Sequence, residues 1–519
     1  MRFFLREKEK VIVFCNVKSA ALDGIHAQIV NVEVDVNDGL PVFEMVGLPS
    51  SEVKEAKERV RVSLRNANYY LPPKHITANL SPADIRKEGT AFDLPIAVAV
   101  LGAAGLLIPD SLDKILFIGE LSLDGTVNPV SGVLPVAYEA MRSGFSYCMV
   151  PYENRKEAAA IEGIKILAVS SLSEVVEAIK DPAPYLYIPD GDRGFKTLSN
   201  SVENDLCDLV GQTVARRALE VAAAGHHNML MTGAPGAGKT MIARCIPGIL
   251  PKLTLDESLE LSMIYSVAGR LKNDGNIITE RPFRAPHHTI SSHALTGGGS
   301  VPKPGEISLA SKGVLFLDEL PEFNRNTIEI LRQPLESREI SINRVNGSAV
   351  YPADFMLIAA MNPCKCGFYP DRSKCTCTQM QVRNYLGRIS RPLLDRFDIR
   401  INVGGVAATE WFDRKKGESS EKVRERVTRA RKIQEERFKD QKYKTNSCMN
   451  SMQTEEICKL GPNELALMKE VFVKYELSGR GYHRILRVAR TIADLAGEED
   501  IKEAHLAEAV SYRGMELTD

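Results

Sequence analysis

The apolar positions of this chain change their spacing twice. From about Val17 to Lys180, short β-branched runs such as AQIVNVEVDV and KILFIGELSLDG alternate with helix-period stretches such as SSEVKEAKERVRVSLRNA. That alternation predicts a compact α/β domain over 12–180. From about residue 200 to 405 the runs are apolar throughout: NMLMT, GVLFLDE and FMLIAAM, separated by longer helical or loop stretches. Strands buried on both faces read this way, so a parallel sheet covered by helices is expected over 200–405. Beyond it the pattern turns helical and basic, as in SSEKVRERVTRARKIQEERFKDQKYK, and predicts a helical region over 406–519. The stretch DPAPYLYIPDGDRGF, rich in Pro, Asp and Gly, reads as a linker over 181–199. The fold class is α/β, and no repeat of fixed period is present.

A length of 519 residues fits two to four domains at roughly 100–200 residues each. With 44% hydrophobic and 26% charged residues the composition is globular, and no apolar run reaches the ~18 residues that would span a bilayer. The start, MRFFLREKEKVIVFC, has charges splitting its apolar residues and lacks the core of a signal peptide. A cytoplasmic location is therefore expected, in which the ten cysteines stay unbridged. A net charge of −1 provides no global pull toward nucleic acid, so any DNA contact must use a local basic surface.

The sharpest motif is GAPGAGKT, comprising Gly233, Ala234, Pro235, Gly236, Ala237, Gly238, Lys239 and Thr240, between the apolar run NMLM and the helix-like MIARCI. Glycines let backbone N–H groups wrap phosphates, the lysine reaches the β and γ oxygens of ATP, and the threonine hydroxyl ligates Mg²⁺. GVLFLDEL then ends a buried run in Asp318, suited to the Mg²⁺ shell, and Glu319, suited to activating water as a general base. A third run, FMLIAAMN, ends in Asn362, whose amide can orient that water; an exposed turn asparagine is the plainer alternative.

Directly after it, NPCKCGFYPDRSKCTC gathers Cys364, Cys366, Cys375 and Cys377. Four thiolates can surround a structural Zn²⁺, although C-x-C is tighter than the usual C-x₂₋₄-C and free thiols remain the alternative. In REISINRVNGSAVYPADF, Asn346-Gly347 between β-prone runs reads as a tight hairpin turn.

GAPGAGKT, VLFLDELPEF and LIAAMNPC, with RPFRAPHHT between the first two and RPLLDRFD after the third, resemble the magnesium-chelatase-like AAA+ ATPases, specifically the competence-protein ComM (YifB) family. The segments VKSAALDGIHAQIVNVEVDV, FEMVGLPSSEVKEAKERV, RKEGTAFDLPIAVA and FIGELSLDG also look like that family's N-terminal part, so the likeness covers all but the first ten or so residues. The resemblance implies a homo-oligomeric, usually hexameric, ring whose ATP sites are completed by the neighbouring subunit. Arg396 in LLDRFD matches the arginine donated in trans, with Arg391 and Arg388 as alternatives. Arg484 in GRGYHRILRVARTIADL matches a second sensor that swings a helical lid with nucleotide state, with Arg487 as its alternative.

The N-terminal part also resembles the proteolytic domain of Lon proteases, but Ala91 stands where the serine nucleophile would be and Leu134 where the lysine base would be. Ser81 is an available hydroxyl with no visible base, so proteolysis is not expected. In related ring helicases a hairpin before the sensor strand tracks nucleic acid, which makes Arg344 the best phosphate contact, an ordinary exposed hairpin being the alternative. The basic stretch from Arg414 to Lys444 could also touch DNA or could form a solvated lid face. His287 and His288 look like a family trait and are poor candidates for metal ligands.

What the resemblance implies is an ATP- and Mg²⁺-dependent motor on branched or single-stranded DNA, in branch migration during homologous recombination or natural transformation, with no membrane partner. The rival is a chelatase-type motor subunit for inserting metal into a tetrapyrrole. Against it, such subunits lack a fused Lon-like domain, and this chain has no metal-coordinating integrin-type domain. A non-motor nucleotide switch is disfavoured by the Asp318–Glu319 pair.

Overall fold

Alternating burial builds the first sheet. Strands β1 (Phe14–Asp23) and β2 (His26–Asn37) point every second residue inward and pair antiparallel, Phe14 opposite Asp35 and Asp23 opposite His26. With β3 (Phe43–Val46), β4 (His75–Ser81), β5 (Ile115–Phe117), β6 (Tyr147–Pro151) and β7 (Lys165–Val169) they form a mixed seven-stranded sheet in the order β3-β4-β2-β1-β5-β6-β7. The helix Asp93–Ala103, apolar all round as DLPIAVAVLGA, is buried along its whole length, as such a helix must be. In this computed structural model the described residues are 14–71, 73–189, 204–271, 276–299, 302–344, 347–405, 412 and 417–513.

Part of the Pro- and Asp-rich stretch read as a linker lies on this sheet. Leu186 bridges Leu167 on β7, and the Tyr187 N–H donates to the Ile166 carbonyl at 2.9 Å. Residues 190–199 of that stretch lie outside the described residues.

The second sheet is parallel. Strands β8 (Met229–Gly233), β9 (Phe283–Arg284), β10 (Val314–Leu317), β13 (Met356–Met361) and β14 (Ile399–Val403) run in the order β9-β10-β13-β8-β14. Between them in sequence, β11 (Glu339–Arg344) and β12 (Gly347–Pro352) pair as a separate hairpin. The three apolar runs of the sequence are the three inner strands, and β10 and β13 are buried at every position. Register fixes one relation that matters later: Met229 pairs with Ile399 and Gly233 with Val403, so whatever follows Gly233 and whatever precedes Ile399 sit at opposite edges of the sheet.

The two sheets share a core. Val133, Leu134 and Ala137 of the helix Val133–Arg142 join Met263, Ile264 and Val267 of the helix Leu255–Val267 in one buried cluster. A polar tie crosses the same contact. Ser266 Oγ donates to Glu157 at 2.5 Å, and the Gly132 N–H donates to the Ser266 carbonyl at 3.1 Å. The hairpin reaches the first sheet as well, since a Cβ on Gly24, in the β1–β2 turn, would stand 2.6 Å from the Val350 carbonyl oxygen.

The C-terminal helices Ser420–Arg437, Ser451–Ile457, Pro462–Lys474, Gly479–Ala496 and Glu503–Ser511 pack with Thr213–Gly225 in a further cluster. Three arginines of the basic helix are taken up by neighbouring elements, while Arg429 is exposed. Arg426 pairs with Glu220 and Glu418, Arg437 with Asp494, and Arg431 donates to the Ala223 carbonyl. Arg414 lies outside the described residues. Among the described residues no helix is long and apolar enough to cross a membrane.

Candidate functional site

The glycine loop leaves β8 at Gly233 and turns through left-handed φ values at Gly236 (+77°) and Gly238 (+84°), which a side chain would strain. The helix Lys239–Arg244 then begins with the loop's N–H groups at its start. Lys239 is buried and donates to the carbonyls of Gly233 (2.7 Å) and Ala234 (3.0 Å) and to Asn362 Oδ1 (3.1 Å). Burial lowers its pKa, and the nearby Asp318 and Glu319 carboxylates oppose that shift. Because β13 lies beside β8, Asn362 at its end falls next to the lysine, so two motifs that lie far apart in sequence meet at one amine.

Thr240 Oγ1 donates to Asp318 Oδ2 at 2.6 Å. A hydroxyl and a carboxylate this close form the start of a hard-oxygen set suited to Mg²⁺. Glu319 follows in the left-handed region, φ +52°, uncommon for a residue with a side chain. The Glu319 N–H donates to Asp318 Oδ1 at 2.9 Å, and the Glu319 side chain is 56% exposed. His288 Nδ1 lies 3.7 Å from Glu319 Oε2, and the His287 ring lies tilted by 35° against His288 with ring centroids 4.1 Å apart. The sequence marks these histidines as a family trait and as poor metal ligands; their nearness to Glu319 depends on β9 pairing beside β10, and a two-residue strand leaves no periodicity to detect.

Arg396 and Arg484 stand elsewhere. Arg396 precedes Ile399 and belongs to the sheet edge opposite the glycine loop, roughly 13 Å away along β14 at ~3.3 Å per residue. It pairs with Glu336 and donates to the Pro392 carbonyl at 3.1 Å. Arg484, buried in the helix Gly479–Ala496, lies 3.5 Å from Asp395 and so shares that edge with Arg396 rather than with Lys239. Burial lowers the Arg484 pKa. The alternatives are committed differently: Arg388 pairs with Glu322 at 2.9 Å, Arg487 donates to the Ser447 carbonyl at 2.8 Å, and Arg391 is exposed.

The hairpin β11–β12 closes with Arg344 opposite Gly347, so Gly347 opens the second strand instead of ending the turn. Residues 345 and 346 and the Arg344 side chain lie outside the described residues.

The four cysteines converge. Cys364 Sγ lies 3.3 Å from Cys366 Sγ and 3.8 Å from Cys375 Sγ, Cys366 and Cys375 are 3.6 Å apart, and all four sulfurs fall within 4.8 Å of one another. Sulfurs about 3.8 Å apart are what Zn–S bonds of ~2.3 Å impose on a tetrahedron, so the set fits zinc.

On the side of the first sheet, Ala91 packs against the buried cluster and Leu134 is fully buried. Ser81 Oγ donates to Glu33 at 3.3 Å. Lys87, which sequence reasoning passed over, is fully buried with its amine on the Gly47 (3.3 Å) and Pro82 carbonyls. Burial lowers the Lys87 pKa, but its protons are directed at carbonyls.

A phosphate-wrapping loop on a parallel sheet, with lysine, threonine and a paired Asp-Glu at the strand ends, defines a P-loop nucleotide-binding core. Models of magnesium chelatase subunit ChlI match residues 205–411 and 32–154, and the model of its C-terminal region matches 417–513. The chain is 44% identical over 508 residues to the competence protein ComM of Haemophilus influenzae, covering 96% of this chain and 97% of that one. It is 41% identical over 510 residues to the uncharacterized protein YifB of Escherichia coli, again 96% and 97%. A shorter match, 29% identical over 148 residues, reaches Lon protease 2 of Bacillus subtilis, covering 27% of this chain and 26% of that one. The chain belongs to the ComM/YifB family of magnesium-chelatase-like AAA+ proteins.

Proposed function

We propose that this protein is an ATPase that works as a ring, usually of six copies, and moves branched or single-stranded DNA. The observation that carries the reading is the separation of Arg396 from Lys239, Thr240 and Asp318 by the length of a strand. An arginine at that edge cannot reach the phosphate loop of its own chain, and on leaving Glu336 it would serve a neighbour's γ-phosphate, where phosphoryl transfer gains from an added cation. Arg484 beside Asp395 would serve the same neighbouring site, so the lid acts across the interface.

At each site the glycine loop and Lys239 would hold the β and γ phosphates, Thr240 and Asp318 would hold Mg²⁺, and Asn362 would orient the attacking water. Bound Mg²⁺ supplies charge neutralisation of the phosphate oxygens. Glu319 takes the proton of the water. Cys364, Cys366, Cys375 and Cys377 would hold one structural zinc that clips the connection from Asn362 toward Arg396. The first domain, Lon-like without a Ser-Lys dyad, forms a second tier stacked on the ring.

Similarity to a protein named for competence favours DNA as the substrate, with branch migration in recombination or transformation as the task. The name shared by the three family models keeps one rival, metal insertion into a tetrapyrrole. Steady-state ATPase with single-stranded, duplex and four-way-junction DNA separates them. Stimulation by DNA is expected, and Arg344→Ala should flatten the salt dependence of DNA binding by about one unit of slope. ATP turnover that no DNA alters, with none bound, would remove the DNA reading.

A further inference from the structure

β14 is an edge strand of the parallel sheet, and the chain that follows the helix Glu503–Ser511 lies against it: the Arg400 N–H donates to the Tyr512 carbonyl at 2.6 Å. That contact sets Arg513 beside Arg400. Arg513 in turn reaches the first turn of the helix Gly479–Ala496, where a Cβ on Gly481 would stand 2.5 Å from its Nη1. Arg484 lies three residues further along that helix. The three arginines, with Phe397, Asp398 and Ile485, line one recess. It has room for about one water-sized group, about 10 Å³, so it takes a terminal oxygen of an oxyanion and not a base or a sugar.

The charges around this recess are uneven. Three guanidiniums face Asp395 and Asp398, and Asp398 is already engaged by His227, whose Nδ1 lies 3.0 Å away. Asp395 lies 3.5 Å from Arg484, long for a charge-assisted hydrogen bond. Arg484 is only 6% exposed. Among the described residues Arg513 Nη1 is buried without a hydrogen-bond partner, and the Arg400 side chain donates to the Leu394 carbonyl at 2.6 Å. Burial lowers the Arg400 pKa to about 10, with Arg513 and Arg484 adding to the shift and Asp395 and Asp398 opposing it. Buried cations short of counter-charge, with a donor left over, call for an anion, and the planar guanidinium fork matches phosphate oxygens. The start of the 18-residue helix beside Arg513 adds to the positive field. We propose that Arg400, Arg484 and Arg513 form a phosphate-oxyanion site, filled by free phosphate or by the terminal phosphoryl group of a nucleotide held on a neighbouring copy. The second source rests on the ring reading, and the first does not.

Two arms separate the sources. In the first, inorganic phosphate is titrated calorimetrically at fixed ionic strength into full-length Lys239→Ala, which lacks the phosphate-loop amine. About one phosphate per chain should bind, and adding Arg513→Gln or Arg400→Gln should weaken binding at least about tenfold, the loss of a charge-assisted donor set. Adding Gly481→Ala, whose Cβ displaces Arg513 Nη1 and removes no charge, should weaken it at least about threefold. In the second arm, steady-state ATPase of Arg513→Gln and Arg400→Gln is compared with wild type, and KM for ATP should rise at least about threefold where a neighbour's phosphoryl group fills the site. Phosphate binding that the variants weaken, with KM unchanged, assigns the site to free phosphate. A raised KM without free-phosphate binding assigns it to the neighbour's nucleotide. An unchanged KM overturns the site when phosphate does not bind, or binds equally well to all three variants. A wild type that hydrolyses no ATP removes the ATPase reading, and the calorimetric arm then decides the site alone.

Discussion

Gly367 of the cysteine loop lies against Pro235 of the phosphate loop, so that a Cβ on residue 367 would stand 2.4 Å from Pro235 Cδ. The φ of Gly367 is +89°, a conformation that favours glycine. Gly367→Ala therefore strains its own backbone and pushes Pro235 off position, with the N–H groups that wrap the phosphates displaced as a result. ATP should bind about tenfold more weakly, about 1.4 kcal/mol, as read by titration with a fluorescent nucleotide. A Kd within twofold of wild type would mean that the phosphate loop does not depend on this contact.

The same contact makes the metal reading sharper. Cys364 and Cys375 are buried on either side of the Gly367 turn, so a zinc shared by the four thiols would hold that turn on Pro235. Purified protein should contain about one zinc per chain. The double variant Cys375→Ser, Cys377→Ser should lose the metal and weaken nucleotide binding along with it. Elemental analysis with the fluorescent titration checks both, and metal-free wild type with full ATP affinity would decide for free thiols.

Completion of the ATP site by a neighbour has its own test. Lys239→Ala should abolish nucleotide binding, since its amine makes three contacts that link the loop to Asn362. Glu319→Gln should bind ATP and turn over more slowly by about two orders of magnitude or more, the usual loss for a general base. Mixing Arg396→Ala subunits with Glu319→Gln subunits should recover some turnover, because mixed interfaces pair an intact Glu319 with an intact Arg396. Verified mixed rings without any recovery would count against Arg396 as the donated cation.

Much of this site could be read in the sequence because each motif ends an apolar run. NMLMT, GVLFLDE and FMLIAAM are inner strands, and parallel strands carry their functional residues out at the same edge, so Lys239, Asp318 and Asn362 had to converge. The cysteines were legible as a set for a similar reason, being close in sequence. The nearness of His288 to Glu319 was not, since the strand before it, β9, has two residues and Glu319 follows another strand. Nor was the place of Arg484, which the packing of the helix Gly479–Ala496 beside Asp395 sets and no local pattern encodes. Lys87 went unnoticed because a lysine whose partners are carbonyls leaves no paired carboxylate in the sequence to look for.

His226 gives a pH test of the core that needs no nucleotide. It sits at the C-terminal end of the helix Thr213–Gly225 with φ +59°, where Arg431 Nη2 lies 3.4 Å from its Nδ1 and Asp354 lies 3.6 Å from its Nε2. Burial, with Arg338, Arg431 and Arg281 adding to it and Asp354 opposing, lowers its pKa well below the ordinary value of 6.5. The folded protein therefore keeps this ring neutral while the unfolded chain protonates it below about pH 6.5. The unfolded state then binds more protons, so stability falls as pH drops from about 6.5 toward the folded pKa, by up to about 1.4 kcal/mol per pH unit for one group. Asp354, held far below the carboxylate range by Arg338 and Lys312 against its burial, does not titrate there. His226→Asn suits the left-handed backbone and keeps an acceptor for Arg431. Denaturant unfolding at pH 7.5, 6.5 and 5.5 should show the variant losing less stability than wild type across the lower interval, by about one proton's slope. Parallel profiles would show that His226 takes up its proton without unfolding the core.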